Sequence, residues 1–144
     1  MNTVKQILRV KGRSVWKVSK DATVLEALRL MAEKGTGSVV VMDGDKVGGI
    51  FTERDFARKV GLYEIKPSEI KVGDVMTSEL ITIEMGDSVN EVMALMTEKH
   101  IRHLPVLEDG QLAGIISIGD VVKDIIEELQ FMVKQLENYI TGFR

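Results

Sequence analysis

Gly49-Ile50-Phe51-Thr52-Glu53-Arg54-Asp55 and, 65 positions later, Gly114-Ile115-Ile116-Ser117-Ile118-Gly119-Asp120 are the two stretches that decide the fold. Laid over one another without a gap, residues 15–56 and 80–121 share ten identities: Val24/Val89, Glu26/Glu91, Leu30/Leu95, Met31/Met96, Glu33/Glu98, Lys34/Lys99, Val41/Val106, Gly49/Gly114, Ile50/Ile115 and Asp55/Asp120. Many other positions keep their apolar character. A duplication of this length with no slip in register specifies two copies of one supersecondary unit.

Each copy reads strand, helix, strand, strand, helix. In the first, Val15–Val18 alternates as a short strand. Thr23 and Glu26 have the spacing of a capping box, with Val24, Ala27, Leu28 and Met31 behind them at helical intervals. Gly35 ends that helix. Ser38–Met42 is an apolar run suited to a strand covered on both faces. Asp43-Gly44-Asp45 turns the chain, Val47–Phe51 returns it, and Thr52–Val60 opens the second helix. The second copy repeats the plan: Ile81–Ile83, the Ser88/Glu91 box, Leu104–Leu107, Glu108-Asp109-Gly110 and Leu112–Ile116. Neither copy covers both faces of so small a sheet alone, so the two are expected to pack about a pseudo-twofold axis.

The tail differs. Val122, Ile125, Ile126, Leu129, Met132, Val133, Leu136 and Ile140 keep helical spacing over about five turns. Such a stripe outruns its own repeat. It has two possible covers, the N-terminal segment Val4–Val10 or a second chain.

Bulk properties narrow the function. The chain has 144 residues, a formal charge of −3 and no cysteine. One compact domain or two half-domains follow, without disulfides or a thiolate metal site. Dispersed basic residues argue against nucleic acid as the main partner. No apolar run approaches a membrane span, and residues 1–11 lack an apolar signal core, so a soluble, cytoplasmic protein is expected.

Gly-Ile-Phe-Thr-Glu-Arg-Asp and Gly-Ile-Ile-Ser-Ile-Gly-Asp resemble the Gly-hydrophobic-x-(Ser/Thr)-x-x-Asp signature of cystathionine β-synthase (CBS) domains. So do Ile101-Arg102-His103-Leu104-Pro105-Val106 and Val72-Gly73-Asp74-Val75-Met76-Thr77. The resemblance spans about residues 4–125 and implies a free-standing tandem CBS pair, or Bateman module. The implied fold is α/β of the α+β type. Two pseudo-twofold-related β-α-β-β-α repeats pack sheet to sheet, with a long C-terminal helix added. The expected boundaries are 1–62 for the first repeat and its lead-in, 63–71 for a linker, 72–125 for the second repeat and 126–144 for the helical extension.

The resemblance also implies a regulatory, nucleotide-binding role. The family holds adenosine-containing ligands between repeats. AMP is the first candidate, with ATP, ADP and NAD as others; no metal is expected. Asp55 and Asp120 are the implied ribose acceptors, since one carboxylate accepts from both ribose hydroxyls. Taken alone, Thr52…Asp55 and Ser117…Asp120 are common capping boxes; their duplication inside a matching frame favours a site. Thr52 and Ser117 can cap a helix and still offer a hydroxyl to phosphate. Arg102 and His103 supply a guanidinium fork and a titratable donor, and the resemblance puts them opposite Asp55. The competing reading makes Arg102 a solvated strand-end charge and His103 a polar cap. Arg54 precedes one carboxylate and Gly119 the other, so positive charge is expected to gather on the Asp55 side alone.

His100 and His103 lack a third ligand for a metal. Ser117, His103 and Asp120 do not sit in a nucleophile elbow, so no enzyme is expected. Trp16 is either core or a stacking surface. Expected partners are a small adenosine ligand, a second copy in a homodimer and an effector protein, with no membrane. The alternative is a structural homodimerising protein that binds no small molecule.

Overall fold

The computed structural model describes residues 2–142; the outermost ends of the expected 1–62 and 126–144 segments lie outside them. The chain divides into two compact units. One runs from Ser14 to Ile81, and the other joins the residues up to Arg13 with those from Thr82 onward.

In the Ser14–Ile81 unit, strand β1 (Lys17–Ser19) leads to helix α2 (Val24–Lys34), strands β2 (Ser38–Asp43) and β3 (Lys46–Thr52), and helix α3 (Glu53–Lys59). β1 lies parallel to β2, which pairs antiparallel with β3. Thr23 caps α2 by accepting the Glu26 amide at 3.1 Å, and Glu26 accepts the Thr23 amide in return at 3.1 Å. Gly35 stops the helix in a left-handed conformation at φ 63°. β2 is buried along Ser38–Val41, as its unbroken apolar run requires. Val24, Ala27, Met31, Val39, Val41, Phe51, Val60, Val72 and Val75 form the core. Trp16 sits at the rim, with the Lys34 ammonium 4.7 Å from its ring centre.

The second unit repeats the frame. Strand β4 (Ile83–Glu84), helix α4 (Val89–Lys99), strands β5 (His103–Glu108) and β6 (Gln111–Ser117) and helix α5 (Ile118–Thr141) follow in order. β4 is parallel to β5, and β5 is antiparallel to β6. The duplication reaches fine detail: the strand bulge between Val41 and Met42 recurs between Val106 and Leu107. His100 ends α4 at φ 55°, in the place of Gly35. The first strand of each copy lies slightly later than expected. β1 begins at Lys17, where pairing with Val40 starts, and β4 at Ile83, where pairing with Val106 starts.

Both units are completed by a lead-in segment. Helix α1 (Val4–Lys11) buries Val4, Ile7 and Leu8 and packs against β6 and α5. Gly114 makes that approach possible: a Cβ there would lie 2.9 Å from the Leu8 side chain. The equivalent glycine, Gly49, admits Met76 and Thr77; a Cβ would meet the Thr77 carbonyl at 2.6 Å and the Met76 sulfur at 2.7 Å. The Ile50 amide donates to the Thr77 carbonyl at 3.0 Å, and the Thr77 amide returns a bond of 2.8 Å. The segment preceding the first repeat thus closes the second unit, and the segment preceding the second repeat closes the first.

The stretch between repeats is also tied down. The Val24 amide donates to the Ile70 carbonyl at 2.9 Å and the Val72 amide to the Ala22 carbonyl at 2.8 Å. Among the described residues, no helix is long and apolar enough to cross a membrane.

Candidate functional site

The duplicated hydroxyl and carboxylate lie where β3 passes into α3 and β6 into α5. Thr52 and Ser117 are the N-caps, both in extended backbone. Each accepts an amide, from Asp55 at 3.2 Å and from Asp120 at 3.2 Å, and so satisfies a donor that the helix start leaves open.

The two carboxylates differ in what else they hold. Asp55 is only 7% exposed. Its Oδ2 accepts from the Thr52 amide at 3.0 Å and the Thr52 hydroxyl at 3.2 Å. Its Oδ1 accepts from the Thr77 hydroxyl at 2.9 Å and faces the Lys59 ammonium at 3.2 Å. Four donors saturate the carboxylate's capacity. Lys59 also donates to the Val75 carbonyl at 3.0 Å, which ties the lead-in segment to α3.

Asp120 is more open, its side chain 22% exposed. The Ser117 amide at 2.8 Å and the Lys11 ammonium at 2.6 Å both donate to Oδ2, and among the described residues Oδ1 keeps acceptor capacity. Lys11 donates as well to the Ile115 carbonyl at 2.9 Å. Burial alone would push the Asp120 carboxyl up. The hydrogen bonds from Lys11 and the Ser117 amide, with the lysine charge, outweigh it and hold the carboxyl below its ordinary value. Beside it lies a cavity of about 180 Å³ lined by Gln6, Ile7, Val10, Lys11, Asp120, Lys123, Asp124 and Glu127. Asp124 is held by the Asn2 side-chain amide at 3.1 Å.

Thr52, Arg54 and Asp55 come together in one unit; Arg102, His103, Ser117, Gly119 and Asp120 come together in the other. His103 pairs across the sheet with Ser117, and the Ile118 amide donates to the Arg102 carbonyl at 2.8 Å, so the basic pair flanks the Ser117 cap. Arg54, Arg102 and Gly119 are exposed and His103 is half-buried. A Cβ on Gly119 would meet only the Ser117 hydroxyl at 3.6 Å, an ordinary contact.

The expectation of positive charge on the Asp55 side alone left two lysines out of account. Each carboxylate has its own lysine, Lys59 at Asp55 and Lys11 at Asp120. Sequence reading missed Lys11, Lys59 and Thr77. Lys59 follows Asp55 by four residues, a legible helix pair. Thr77 lies in the quoted Val72–Thr77 lead-in. Lys11 carries no local signal, since 109 residues separate it from Asp120. Among the described residues, no group of three or more His, Cys, Asp or Glu side chains is placed to hold a metal.

Comparison with known proteins identifies the repeated unit. The family model of the CBS domain matches residues 4–61 and again 72–127. A mitochondrial CBS domain-containing protein of Arabidopsis thaliana, CBSX3, is 36% identical over 97% of this chain and 72% of its own length. A CBS-domain protein from Burkholderia ambifaria has a structure with a TM-score of 0.85 and 49% identity, covering 88% of this chain and 95% of that one. A CBS-domain containing protein from Agrobacterium tumefaciens gives a TM-score of 0.82 at 40% identity, covering 85% and 98%. A CBS domain pair solved with 5′-methylthioadenosine and S-adenosyl-L-methionine is similar in fold, with a TM-score of 0.77 at 21% identity and coverage of 89% and 98%. Two repeats in one register, each with its capped hydroxyl and carboxylate, place this chain in the CBS-domain family as a tandem pair.

Proposed function

We propose that this CBS pair is a regulatory module, not an enzyme. In this reading it binds an adenosine-containing ligand, an adenine nucleotide in the first instance, and passes the bound state to a protein partner in the cytoplasm. The carrying observation is the partly exposed Asp120 carboxylate, whose two hydrogen bonds both fall on Oδ2, beside a cavity that Lys123 also lines. A carboxylate accepts from ribose hydroxyls; in this reading Lys123 supplies the ammonium for a phosphate, since Lys11 is taken by Asp120 and the acids Asp124 and Glu127 line the same cavity. Arg54, Arg102 and His103 are further phosphate donors in this reading. Thr52 and Ser117 contribute hydroxyls, and Gly119 leaves room beside Ser117.

The two sites fill in order. Asp120 accepts a ribose without giving up a bond, whereas Asp55 must first release Thr77 or Lys59. AMP is therefore expected to occupy the Asp120 site first. Asp55, saturated and buried, favours a second reading in which its motif is purely structural.

Calorimetric titration of AMP and adenosine into the wild type and Asp120→Asn tests the proposal. Loss of one of two AMP-binding steps in the variant is the expected result. No heat with any adenosine compound would leave the structural reading standing. Recovery of AMP, ATP or NAD as hydrolysed product, tracking the protein and lost in Ser117→Ala, would return the chain to the enzymes.

A further inference from the structure

The first 20 residues carry six basic side chains and no acid, in a chain whose formal charge is −3. Three of the six are paired: Lys11 with Asp120 at 2.6 Å, Arg13 with Glu108 at 2.9 Å and Lys20 with Asp43 at 3.1 Å. Of the other three, Lys5 and Arg9 stand together on α1, and among the described residues neither makes an ion pair. The helix turns Val4, Ile7 and Leu8 inward, which leaves Lys5 and Arg9, one turn apart, on its outer side. Val10 follows Arg9 there and is 84% exposed. Like charges at that spacing repel and weaken a helix. The inward packing of α1 calls for neither the repulsion nor the uncovered valine.

We propose that this outer side of α1 is a docking surface for an acid-rich, partly apolar segment of a protein partner. Carboxylates of the segment meet Lys5 and Arg9, and an apolar side chain covers Val10. A continuous polyanion fits less well. The cavity that Val10 lines also presents Asp120, Asp124 and Glu127; its lysines are Lys123 and Lys11, and Lys11 is already held by Asp120. A nucleic acid backbone or an anionic bilayer laid over α1 brings its phosphates against those carboxylates, whereas a peptide sets its acids only where the cations are. The surface is small, so the contact is weak, sensitive to salt and guided by charge. Docking there does not require the cavity to be filled.

In the full chain, Val10 is replaced by the photo-crosslinking residue benzoylphenylalanine, with Asp45, an exposed turn residue, as the control position. After irradiation in the cells that make the protein, the linked segment is mapped by mass spectrometry, synthesised and titrated against the purified protein. The expected product joins position 10, and not position 45, to a protein segment rich in Asp and Glu. The double variant Lys5→Glu with Arg9→Glu, at exposed positions outside the core, is expected to weaken the peptide at least about tenfold. Lys5→Arg with Arg9→Lys, which keeps both charges, should retain binding. Raising salt from about 0.05 to 0.5 M should weaken wild-type binding and hardly touch that of the charge-reversed protein. No cross-link, or one only to a second copy of the chain, to nucleic acid or to lipid, would overturn the proposal. So would a linked segment without acids, or a dissociation constant that charge reversal leaves unchanged.

Discussion

Removing the Lys11 ammonium tests how the N-terminal helix is fastened to the candidate site. In Lys11→Met the aliphatic stem stays, but Asp120 loses a 2.6 Å charge-assisted bond and the Ile115 carbonyl loses its 2.9 Å donor. The partners are 32% and 22% exposed, so solvent screens the pair in part. An exposed ion pair contributes up to about 1 kcal/mol, and a hydrogen bond to a charged group about 1.5–3 kcal/mol. This half-buried pair should fall between them, near 1.5 kcal/mol at neutral pH. For a chain of this length that lowers Tm by roughly 3–6 °C. The sign with pH follows from Asp120, whose folded carboxyl is held below its ordinary value. Its contribution is therefore complete above the unfolded carboxyl pKa of about 3.9 and disappears as pH falls through the lower folded value. Denaturant unfolding of wild type, Lys11→Met, Asp120→Asn and the double variant gives the coupling energy at pH 7 and again at pH 3. A coupling near 1.5 kcal/mol that shrinks on acidification is expected. A coupling near zero at pH 7, or one indifferent to pH, would refute the view that this ion pair fastens the helix.

The two carboxylates should separate by assay. Asp120→Asn is expected to weaken AMP binding about 10- to 150-fold, the loss of a charge-assisted acceptor, as read by calorimetry. Asp55→Ala should instead act on stability, costing about 2–3 kcal/mol in denaturant unfolding because Thr77 and Lys59 lose their acceptor. The duplicated glycines should differ too. Gly49→Ala forces a Cβ onto the Thr77 carbonyl and should cost about 2–3 kcal/mol, whereas Gly114→Ala meets only the flexible Leu8 side chain and should cost about 1 kcal/mol. Equal losses would show that the two lead-ins yield alike. AMP binding should weaken as salt rises from 0.05 to 0.5 M (about a threefold change in Debye length), and adenosine binding should not.

Much of the fold was legible because the duplication makes each copy a check on the other. Thr23 with Glu26, the buried run at Ser38–Val41 and the turn at Asp43-Gly44-Asp45 all carry local signals, and each recurs in register. The helix starts at Thr52 and Ser117 were equally plain. What could not be read is which body the lead-ins complete. Helix α1 precedes the first repeat in sequence yet docks on β6, and nothing in Val4–Lys11 names its target. For the same reason the lysine at Asp120 was invisible. The saturation of Asp55 escaped because it depends on Thr77, 22 residues away, reaching back through a bridge that forms only once Gly49 admits it.

The exchange of lead-ins has a consequence for synthesis. Ser14–Ile81 is a continuous stretch, so everything that unit needs has left the ribosome once Ile81 is clear. Helix α1 leaves long before its partners, because β6 and Asp120 arrive about a hundred residues later. At translation rates of about 5–20 residues per second, Val4, Ile7 and Leu8 stay uncovered for roughly 5–20 s. The apolar side of α1 is thus open to a chaperone in every round of translation until β6 has been made.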